Sequence, residues 1–426
     1  MKKRIVSMFL ALALTASLAA CGGGNGNEGA SNGNQGSEAG AAGNDGSDAG
    51  SDAADGAGEA DGAGSSAGSG EAFKIGGIGP TTGGAALYGL AAQRGGQIAV
   101  DEINAAGGIN GYQIEYNFQD DEHDAQKSVN AYNSLKDWGM QLLMGTVTTT
   151  PCVAVAAETA EDNMFLLTPS ASSTDVIEED NAFQVCFTDP NQGVASAEYI
   201  AEKKLATKVA IIYDSSDVYS SGIHDSFKRE AETRGLEIVS DEAFTADSKT
   251  DFTTQLQKAK DGGAELVFLP FYYQEAALVL TQADAMGYDP IFFGVDGMDG
   301  ILGAKNFNTE LAEGVMLLTP FAADSQDEAT KAFVEKYQAE YGEIPIQFAA
   351  DAYDAIYIMK AAIEKAGATP DMSASDICDA IKTAMTEISY NGLTGAGSEM
   401  TWDASGAVSK APMAVVIKDG AYVAAE

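Results

Sequence analysis

The sequence predicts an α/β fold built from two doubly wound parallel-sheet lobes, joined by a hinge that the chain crosses several times. From Phe73 onward, short β-prone runs alternate with longer segments whose apolar residues recur at helical spacing, which is the pattern of parallel βαβ units. The alternation falls into two successive series, about 73–190 and 193–318. The chain after residue 72 is long enough for two hydrophobic cores, so each series is expected to form one lobe.

The first series predicts four strands separated by three helices. The strands are Phe73–Gly79, Gln113–Phe118, Leu142–Met144 and Phe165–Leu167, and the helices are Ala91–Ala105, Ala125–Trp138 and Pro151–Asn163. Gly107 and Gly108 follow the first helix and form a typical helix stop. We therefore expect parallel strands with the helices as right-handed crossovers between them.

The second series repeats this rhythm and is followed by a C-terminal part that completes the lobes. Its strands are Lys208–Tyr213, Leu236–Ser240, Leu266–Leu269 and Ile291–Phe293, and its helices are Ser220–Arg234, Asp251–Lys260 and Glu275–Met286. Helices near 327–341, 349–366 and 375–386 and strands near 398–402 and 412–423 follow. We expect residues 73–190 and 321–395 to form lobe one and residues 193–318 and 397–426 to form lobe two, with crossovers near Pro190, Pro320 and Gly395.

The N-terminal segment predicts export and membrane anchoring. Three basic residues precede the apolar run that ends at residue 20, and this signal-like run is too short and wrongly flanked to span a membrane. Its end, Leu-Ala-Ala-Cys21, resembles the box at which bacterial lipoproteins are cleaved and acylated; a plain cleavage site with a chance cysteine is the alternative. Residues 21–72 are rich in Gly, Ala, Ser, Asn and Asp, which predicts a disordered tether. We expect a lipid-anchored protein outside the cytoplasm, on the outer face of the cytoplasmic membrane or in the periplasm.

The charge of the chain argues against nucleic acid as a partner, and its cysteines and histidines argue against a metal site. The chain has 63 acidic and 24 basic residues and a net charge of −39, which excludes nucleic acid because its binding requires basic patches. There is no CxxC motif or histidine cluster, so we predict neither a metal site nor a cofactor. In an oxidising compartment Cys152 and Cys186 are a candidate disulfide pair. The alternative is three buried thiols, with Cys378 as the third.

The loops after the strands carry the candidate ligand groups, because doubly wound folds bind ligands outside the carboxyl ends of their strands. Residues 145–151 (Gly-Thr-Val-Thr-Thr-Thr-Pro) combine hydroxyls with a helix start, for which Thr150 is the expected N-cap before Pro151. Such a helix start suits a carboxylate. Residues 168–173 (Thr-Pro-Ser-Ala-Ser-Ser) have the same chemistry. Capping without a ligand is the alternative for each loop, and their adjacency favours one shared anion site.

Asp296 and several tyrosines fall in the loops that would face this site. Asp296 follows a strand within Gly-Val-Asp-Gly, where it can pair with an ammonium or, as the alternative, form a simple Asp-Gly turn. The tyrosines in strand-to-helix loops are Tyr88, Tyr219, Tyr272 and Tyr273. Tyrosine suits a cleft because it has an apolar ring and a polar hydroxyl.

Motifs of known catalytic chemistry do not occur in the part of the chain that is expected to fold. After residue 72 there is no GxSxG, HExxH or phosphate-binding GxxxxGK[ST] sequence, and the chain has only two histidines. The sequence therefore predicts a binding protein rather than an enzyme.

Five short segments, taken in order, resemble one known family. They are residues 75–83 (Ile-Gly-Gly-Ile-Gly-Pro-Thr-Thr-Gly), 101–109 (Asp-Glu-Ile-Asn-Ala-Ala-Gly-Gly-Ile), 168–171 (Thr-Pro-Ser-Ala), 187–193 (Phe-Thr-Asp-Pro-Asn-Gln-Gly) and 353–355 (Tyr-Asp-Ala). Each is weak alone, but their order and spacing resemble the branched-chain amino acid-binding proteins of ABC transporters. That family has the type I periplasmic-binding-protein fold, and the resemblance extends from Phe73 to the C-terminus.

The resemblance implies an amino-acid site at the strand ends. It implies that the ligand carboxylate meets the hydroxyl and backbone N–H groups of the loop at Thr149, together with Ser172. It implies that the ligand ammonium meets the carbonyl of Ser170, the hydroxyl of Ser172 and the acid Asp296. Thr149 stands where the family often has serine, and Ser172 stands where the family often has threonine. Both replacements keep the hydroxyl. Asp296 is one carbon shorter than the glutamate common in the family, so it would need a bridging water or a tighter cleft.

The predicted site also includes aromatic and small residues. The complete predicted set of ligand-binding residues is Tyr88, Val147, Thr149, Ser170, Ala171, Ser172, Tyr219, Tyr272, Asp296, Gly297 and Phe348. Val147 is assigned to the side-chain pocket, and Phe348 is a looser match to the family pattern.

By this resemblance, the protein is expected to be the monomeric solute-binding component of an ABC importer. It would capture a small, branched-chain or aliphatic amino acid first on lobe one, close lobe two over it, and deliver it to the transmembrane permease subunits. Two alternatives remain open: a ligand-sensing module of the same fold that feeds a receptor, and a site for another small solute such as an amide. An enzyme on this scaffold is disfavoured by the missing nucleophile and cofactor motifs.

Overall fold

The computed structural model describes residues 71–395 and 397–425. The predicted signal peptide (1–20), the predicted lipidation site Cys21 and nearly all of the predicted tether (21–72) lie outside the described residues.

The first sheet has five parallel strands, the four that the first series predicts and one more. In chain order they are β1 (Ala72–Gly79), β2 (Gln113–Asp120), β3 (Leu142–Gly145), β4 (Phe165–Thr168) and β5 (Ala182–Gln184). Their order across the sheet is β2-β1-β3-β4-β5. The carboxyl ends of β1, β3 and β4 therefore lie side by side at one edge.

The second sheet has seven strands. Those from the second series are β6 (Lys208–Asp214), β7 (Glu237–Phe244), β8 (Leu266–Leu269), β9 (Ile291–Gly294) and β10 (Met316–Thr319). The strands β11 (Ser389–Tyr390) and β12 (Met400–Thr401) form a separate two-stranded ribbon. The hairpin of β13 (Met413–Lys418) and β14 (Ala421–Ala424) supplies the other two strands of this second sheet. The order is β14-β13-β10-β9-β8-β6-β7, and only the pairings that involve β13 are antiparallel.

Ten α-helices lie within the described residues. They are α1 (Ala86–Ala105), α2 (Ala125–Trp138), α3 (Thr149–Asp162), α4 (Asp189–Glu202), α5 (Val218–Arg234), α6 (Thr253–Gly262), α7 (Tyr273–Ala285), α8 (Glu328–Tyr341), α9 (Gln347–Ala366) and α10 (Ala374–Met385). Helices α9 and α10 pack against β4 and α1 of the first sheet, whereas α4 packs against α5 of the second. None of these helices combines the length and apolar character of a bilayer-spanning helix.

Strands β3 and β4 are buried on both faces, which explains their unbroken apolar sequences. Leu143 and Leu166 face a hydrophobic cluster shared with α2 and α3, whereas Leu142 and Leu167 face a second cluster shared with α1 and α9. With both faces used for packing, polar groups are available only where each strand ends. This arrangement places the hydroxyl-rich loops at the edge of the sheet.

The α/β fold with doubly wound parallel sheets is confirmed, although β5, α4, β10 and the two-residue strand β11 were missed. Strand β5 has three residues and β10 has four, which is too short for a clear pattern. Helix α4 begins Asp-Pro and is rich in small residues, so its apolar periodicity is weak. The chain leaves the first sheet after Gln184, leaves the second after Thr319 and rejoins it at Met413. The lobe limits given above stay predictions.

The candidate disulfide between Cys152 and Cys186 is wrong. Both residues, like Cys378, are free and buried thiols. The sulfur of Cys152 lies at the start of α3, where it accepts a hydrogen bond from the Thr146 amide at 3.3 Å. Burial raises the pKa of Cys152 to about 12 and raises that of Cys186 as well, so both thiols stay protonated at neutral pH.

Candidate functional site

A small cavity, with about 10 Å³ of space for the centre of a water-sized sphere, lies where the strand ends of the two sheets face each other. It is lined by Val147, Thr148, Thr149, Ser170, Tyr219, Tyr272, Asp296, Gly297 and Phe348. A cavity needs about 10–15 Å³ of such space to hold one water molecule, so the site is almost completely closed in this structure. Of the nine lining side chains, only Asp296 is charged, and none is basic.

Eight of the eleven predicted binding residues line the cavity, and Tyr88, Ala171 and Ser172 do not. Ala171 points its backbone into the protein, where its N–H donates to Thr168 Oγ1 at 2.9 Å and its carbonyl accepts from Gln184 Nε2 at 2.9 Å. Ala171 therefore shapes the loop without facing the cavity.

Helix α3 starts beside the cavity and presents free N–H groups to it. It begins at Thr149 with Thr148 as N-cap, so the predicted N-cap Thr150 is wrong. The hydroxyl of Thr148 makes no capping bond and instead lies 2.9 Å from His123 Nδ1. The hydroxyl of Thr150 donates to Asp217 Oδ1 at 2.9 Å and so ties α3 to the loop before α5 in the second sheet. The first amides of a helix carry partial positive charge, which favours an anion here.

The β3 and β4 loops are held together by their own hydroxyls. Ser170 Oγ donates to the Val147 carbonyl at 2.6 Å. The Ser172 amide donates to Thr149 Oγ1 at 3.2 Å, and Ser172 Oγ donates to Asp189 Oδ1 at 2.6 Å. Ser172 therefore supports the site through Thr149 and Asp189 in this structure rather than facing the cavity itself.

Four aromatic rings enclose the cavity. Tyr219 and Tyr272 are stacked, with ring centroids 4.9 Å apart and planes 8° apart. Tyr88 lies behind them and packs on Phe348 with centroids 4.2 Å apart. The Tyr88 hydroxyl donates to the Gly297 carbonyl and accepts from the Tyr273 amide, so this residue of α1 binds two loops of the second sheet.

Asp296 is the acid of the site and is only 3% exposed. Its Oδ1 accepts a hydrogen bond of 2.5 Å from the Tyr219 hydroxyl. Its backbone is held from two sides, because its N–H donates to Gln192 Oε1 at 3.2 Å and its carbonyl accepts from Gln347 Nε2 at 2.8 Å. Burial raises the pKa of Asp296 to about 6, against the lowering effect of these hydrogen bonds. A cation beside it would restore the ionised form.

Two buried polar atoms near the cavity have no hydrogen-bond partner among residues 71–395 and 397–425: Asp189 Oδ2 and the Tyr272 hydroxyl. Asp189 is 2% exposed, and burial raises its pKa well above the usual range. Buried polar atoms are almost always paired with protein, water or ligand. These two atoms therefore mark places where a polar group of a ligand would fit.

Sequence reasoning missed Asp189, Gln192 and Gln347. Asp189 and Gln192 lie within segment 187–193, which carried part of the family resemblance but received no role. Gln347 is adjacent to the predicted residue Phe348. No local pattern identifies any of the three, because each acts on residues that are distant in the chain.

A larger groove, with about 560 Å³ of space for the centre of a water-sized sphere, lies between α1, α8 and the β13–β14 hairpin. Its walls are mainly aliphatic, and Ile344 at its rim is 59% exposed. Its charged groups Arg94 and Glu343 pair with each other at 2.7 Å. None of the described residues that line this groove has a buried polar side-chain atom without a hydrogen-bond partner, whereas Tyr272 of the smaller cavity does, so the smaller cavity is the better candidate site.

Known proteins resemble this chain over nearly all of the described part. Residues 72–421 match the family described as periplasmic binding protein. The Leu/Ile/Val-binding protein homologue 3 of Brucella melitensis biotype 1 is 31% identical over 307 residues, which cover 70% of this chain and 81% of that protein. A leucine-, isoleucine-, valine-, threonine- and alanine-binding protein of Pseudomonas aeruginosa is 29% identical over 299 residues, 70% of this chain and 79% of its own.

A solved structure shares the fold. The branched-chain amino acid transporter substrate-binding protein LivJ of Streptococcus pneumoniae, in complex with isoleucine, superposes with a TM-score of 0.75 and 31% identity. The match covers 84% of this chain and 99% of that one. The type I fold inferred from the sequence motifs is thereby confirmed. The chain belongs to the periplasmic-binding-protein family, and the relatives named above are proteins that bind leucine, isoleucine and valine.

Proposed function

We propose that this protein captures a small aliphatic amino acid outside the cytoplasm and delivers it, chemically unchanged, to the permease subunits of an ABC importer. The observation that carries the proposal is the polarity of the cavity. Hydroxyls and the free amides of α3 lie on one side, and the buried acid Asp296 lies on the other. A zwitterion of one carboxylate and one ammonium satisfies both sides.

Each end of an amino acid has a complementary group. The carboxylate would accept hydrogen bonds from the Thr149 hydroxyl and the first amides of α3. The ammonium would donate to Asp296 and to the Ser170 carbonyl. Buried charges are tolerated only when they are paired in this way. An aliphatic side chain would pack against Val147 and the aromatic rings.

Contacts between the two sheets give the closed form its stability. Thr150 bonds Asp217, Tyr88 bonds Gly297, and the cavity residues are almost entirely buried. A ligand that touches both sides binds the closed form better than the open form and shifts the population toward it. Closure of this kind would present a distinct surface to the permease.

The names of the relatives support an aliphatic ligand, since they specify leucine, isoleucine and valine. The location outside the cytoplasm, acylation at Cys21 and the monomeric state are part of the same proposal and rest on the N-terminal sequence and the family.

The test is a binding screen of the purified protein by thermal shift and titration calorimetry. Leucine, isoleucine, valine, threonine and alanine form the first set, and a small amide and a benzoate form the second. A ligand at 100 times its Kd should stabilise the protein by about 2.7 kcal/mol. Mass spectrometry should recover the ligand unchanged after incubation. Response to the second set alone, or chemical turnover, would overturn the proposal.

A further inference from the structure

The side chain of Gln347 bridges the two lobes at the back of the cavity. It is the first residue of α9 and is 1% exposed. Its Nε2 donates to the Asp296 carbonyl at 2.8 Å, and its Oε1 accepts from the Thr319 hydroxyl at 2.9 Å. Its backbone N–H donates to Asp299 Oδ2 at 2.8 Å. One residue thus contacts the ligand-facing loop and the end of β10.

The orientation of the Gln347 amide follows from its neighbours. A carbonyl oxygen can only accept, so the side-chain nitrogen must face Asp296 and the oxygen must face Thr319. The Thr319 hydroxyl has one hydrogen and lies 2.9 Å from Gln347 Oε1 and 3.0 Å from the Phe321 carbonyl, so these two acceptors share it. Reversing the amide would place two acceptors against each other at Asp296, so this arrangement has one stable form.

The contacts of Gln347 are expected to depend on closure, because helix α9 packs on the first sheet whereas all three hydrogen-bond partners of Gln347 belong to the second. Helix α9 packs against α1, β3 and β4 of the first sheet, whereas residues 296–299 follow β9 of the second. The N-cap position of α9 is Ile346, whose side chain cannot cap. Asp299 of the opposite lobe bonds the first helix amide instead, so opening would remove both this cap and the bond to Asp296.

We propose that Gln347 is a positioning residue that holds Asp296 in place when the lobes close. Through its bond to Thr319, it also links ligand binding to the predicted chain crossover near Pro320. The inference rests on the proposed function and adds a residue that does not line the cavity. In the closed form, Gln192 and Gln347 hold the N–H and the carbonyl of Asp296, which leaves its carboxyl aimed at the ligand. In the open form, the Asp296 loop loses one of these two supports.

The experiment compares Gln347→Met with the wild type and with Gln338→Met, a matched change at an exposed glutamine of α8. The probes are L-leucine and the other four amino acids of the screen. Their association and dissociation rates are measured by stopped-flow fluorescence. Removing the Gln347 bond leaves the buried Asp296 carbonyl with one donor, the Asp299 amide at 3.0 Å, and should weaken binding roughly 2- to 10-fold. The loss should appear in the dissociation rate with the association rate unchanged, since the bond forms only after closure.

A double mutant separates coupling from general destabilisation. Thr319→Val should weaken binding in the wild type but have no further effect in the Gln347→Met background, because Thr319 acts through Gln347. Additive losses, or an unchanged dissociation rate in Gln347→Met, would refute the inference. Control Gln338→Met should match the wild type.

Hydrogen exchange gives a readout that does not require a known ligand. In the unliganded protein, the peptide spanning residues 295–300 should exchange faster in Gln347→Met than in Gln338→Met. If no amino acid binds the wild type, the proposed function fails, whereas equal exchange in both variants refutes the role of Gln347 on its own.

Discussion

Asp296→Asn is the most informative perturbation of this site, because it removes one charge and little else. Asparagine has nearly the same shape, and its side-chain oxygen can still accept from the Tyr219 hydroxyl, which now bonds Oδ1 at 2.5 Å. The backbone bonds to Gln192 and Gln347 do not involve the side chain. The variant therefore tests whether the carboxylate pairs with a ligand ammonium.

The expected magnitude follows from burial. A hydrogen bond to a charged group is worth about 1.5–3 kcal/mol, and Asp296 is 3% exposed, so solvent does not screen it. At about 1.4 kcal/mol per factor of ten, affinity for leucine should fall roughly 10- to 100-fold. Calorimetry at pH 7.5 measures this loss, with Asp284→Asn, an exposed acid on α7, as the control that should bind like the wild type.

The pH dependence supplies a second test of the same carboxylate. Burial raises the pKa of Asp296 to about 6 in the empty site, and a bound ammonium favours the ionised form, so binding releases a proton at low pH. Affinity of the wild type should therefore fall about tenfold from pH 7.5 to pH 5, and the dependence should be weaker in Asp296→Asn. Any slope left in the variant would report Asp189, whose pKa is also raised.

The stability of the unliganded protein should change in the opposite direction. The pKa of Asp296 is higher in the folded protein than in the unfolded chain, so its ionisation destabilises the fold. This destabilisation is complete above the folded pKa and disappears below the unfolded pKa. Asp296→Asn should therefore leave the unliganded Tm at pH 7.5 unchanged or higher. Binding within twofold of the wild type, or an identical pH slope, would show that Asp296 does not hold the ligand.

Two further variants test packing around the site. A Cβ on Gly297 would lie 2.6 Å from the Tyr219 hydroxyl, so Gly297→Ala should prevent closure over a ligand and weaken binding at least tenfold. The control Gly303→Ala should bind like the wild type, because its Cβ would meet only the flexible end of Leu87. Lys410 is fully buried and pairs with Asp351 at 3.1 Å, so Lys410→Met should lower the free energy of unfolding by about 3 kcal/mol in urea denaturation. Equal losses in exposed Lys418→Met would contradict that reasoning.

Much of the site could be predicted because its chemistry is local in sequence. Thr149 and Ser170 follow buried parallel strands, and ligands of doubly wound folds bind outside such strand ends. Glycines after helices and apolar runs within strands are equally local signals. These patterns sufficed to place eight predicted residues around one cavity.

The missed features depend on contacts between distant segments. Ser172 turns toward Asp189 instead of the cavity, because a buried carboxyl needs a donor. Cys152 bonds the Thr146 amide rather than another cysteine. The short strand β5 is recognisable only through its pairing with β4. Neither spacing nor composition contains this information.

The amino-acid sequence by itself determined the alternation of strands and helices, the class of fold and the loops that carry hydroxyls and an acid, since each follows from the periodicity and turn chemistry of neighbouring residues. Only the tertiary structure decided that Asp296 is held by Gln192 and Gln347, that Asp299 caps α9 from the opposite lobe, and that the cavity is small. The physical reason is that a buried polar group is satisfied by whichever partner packing brings within about 3 Å, and that partner is more than 40 residues away in each of these cases.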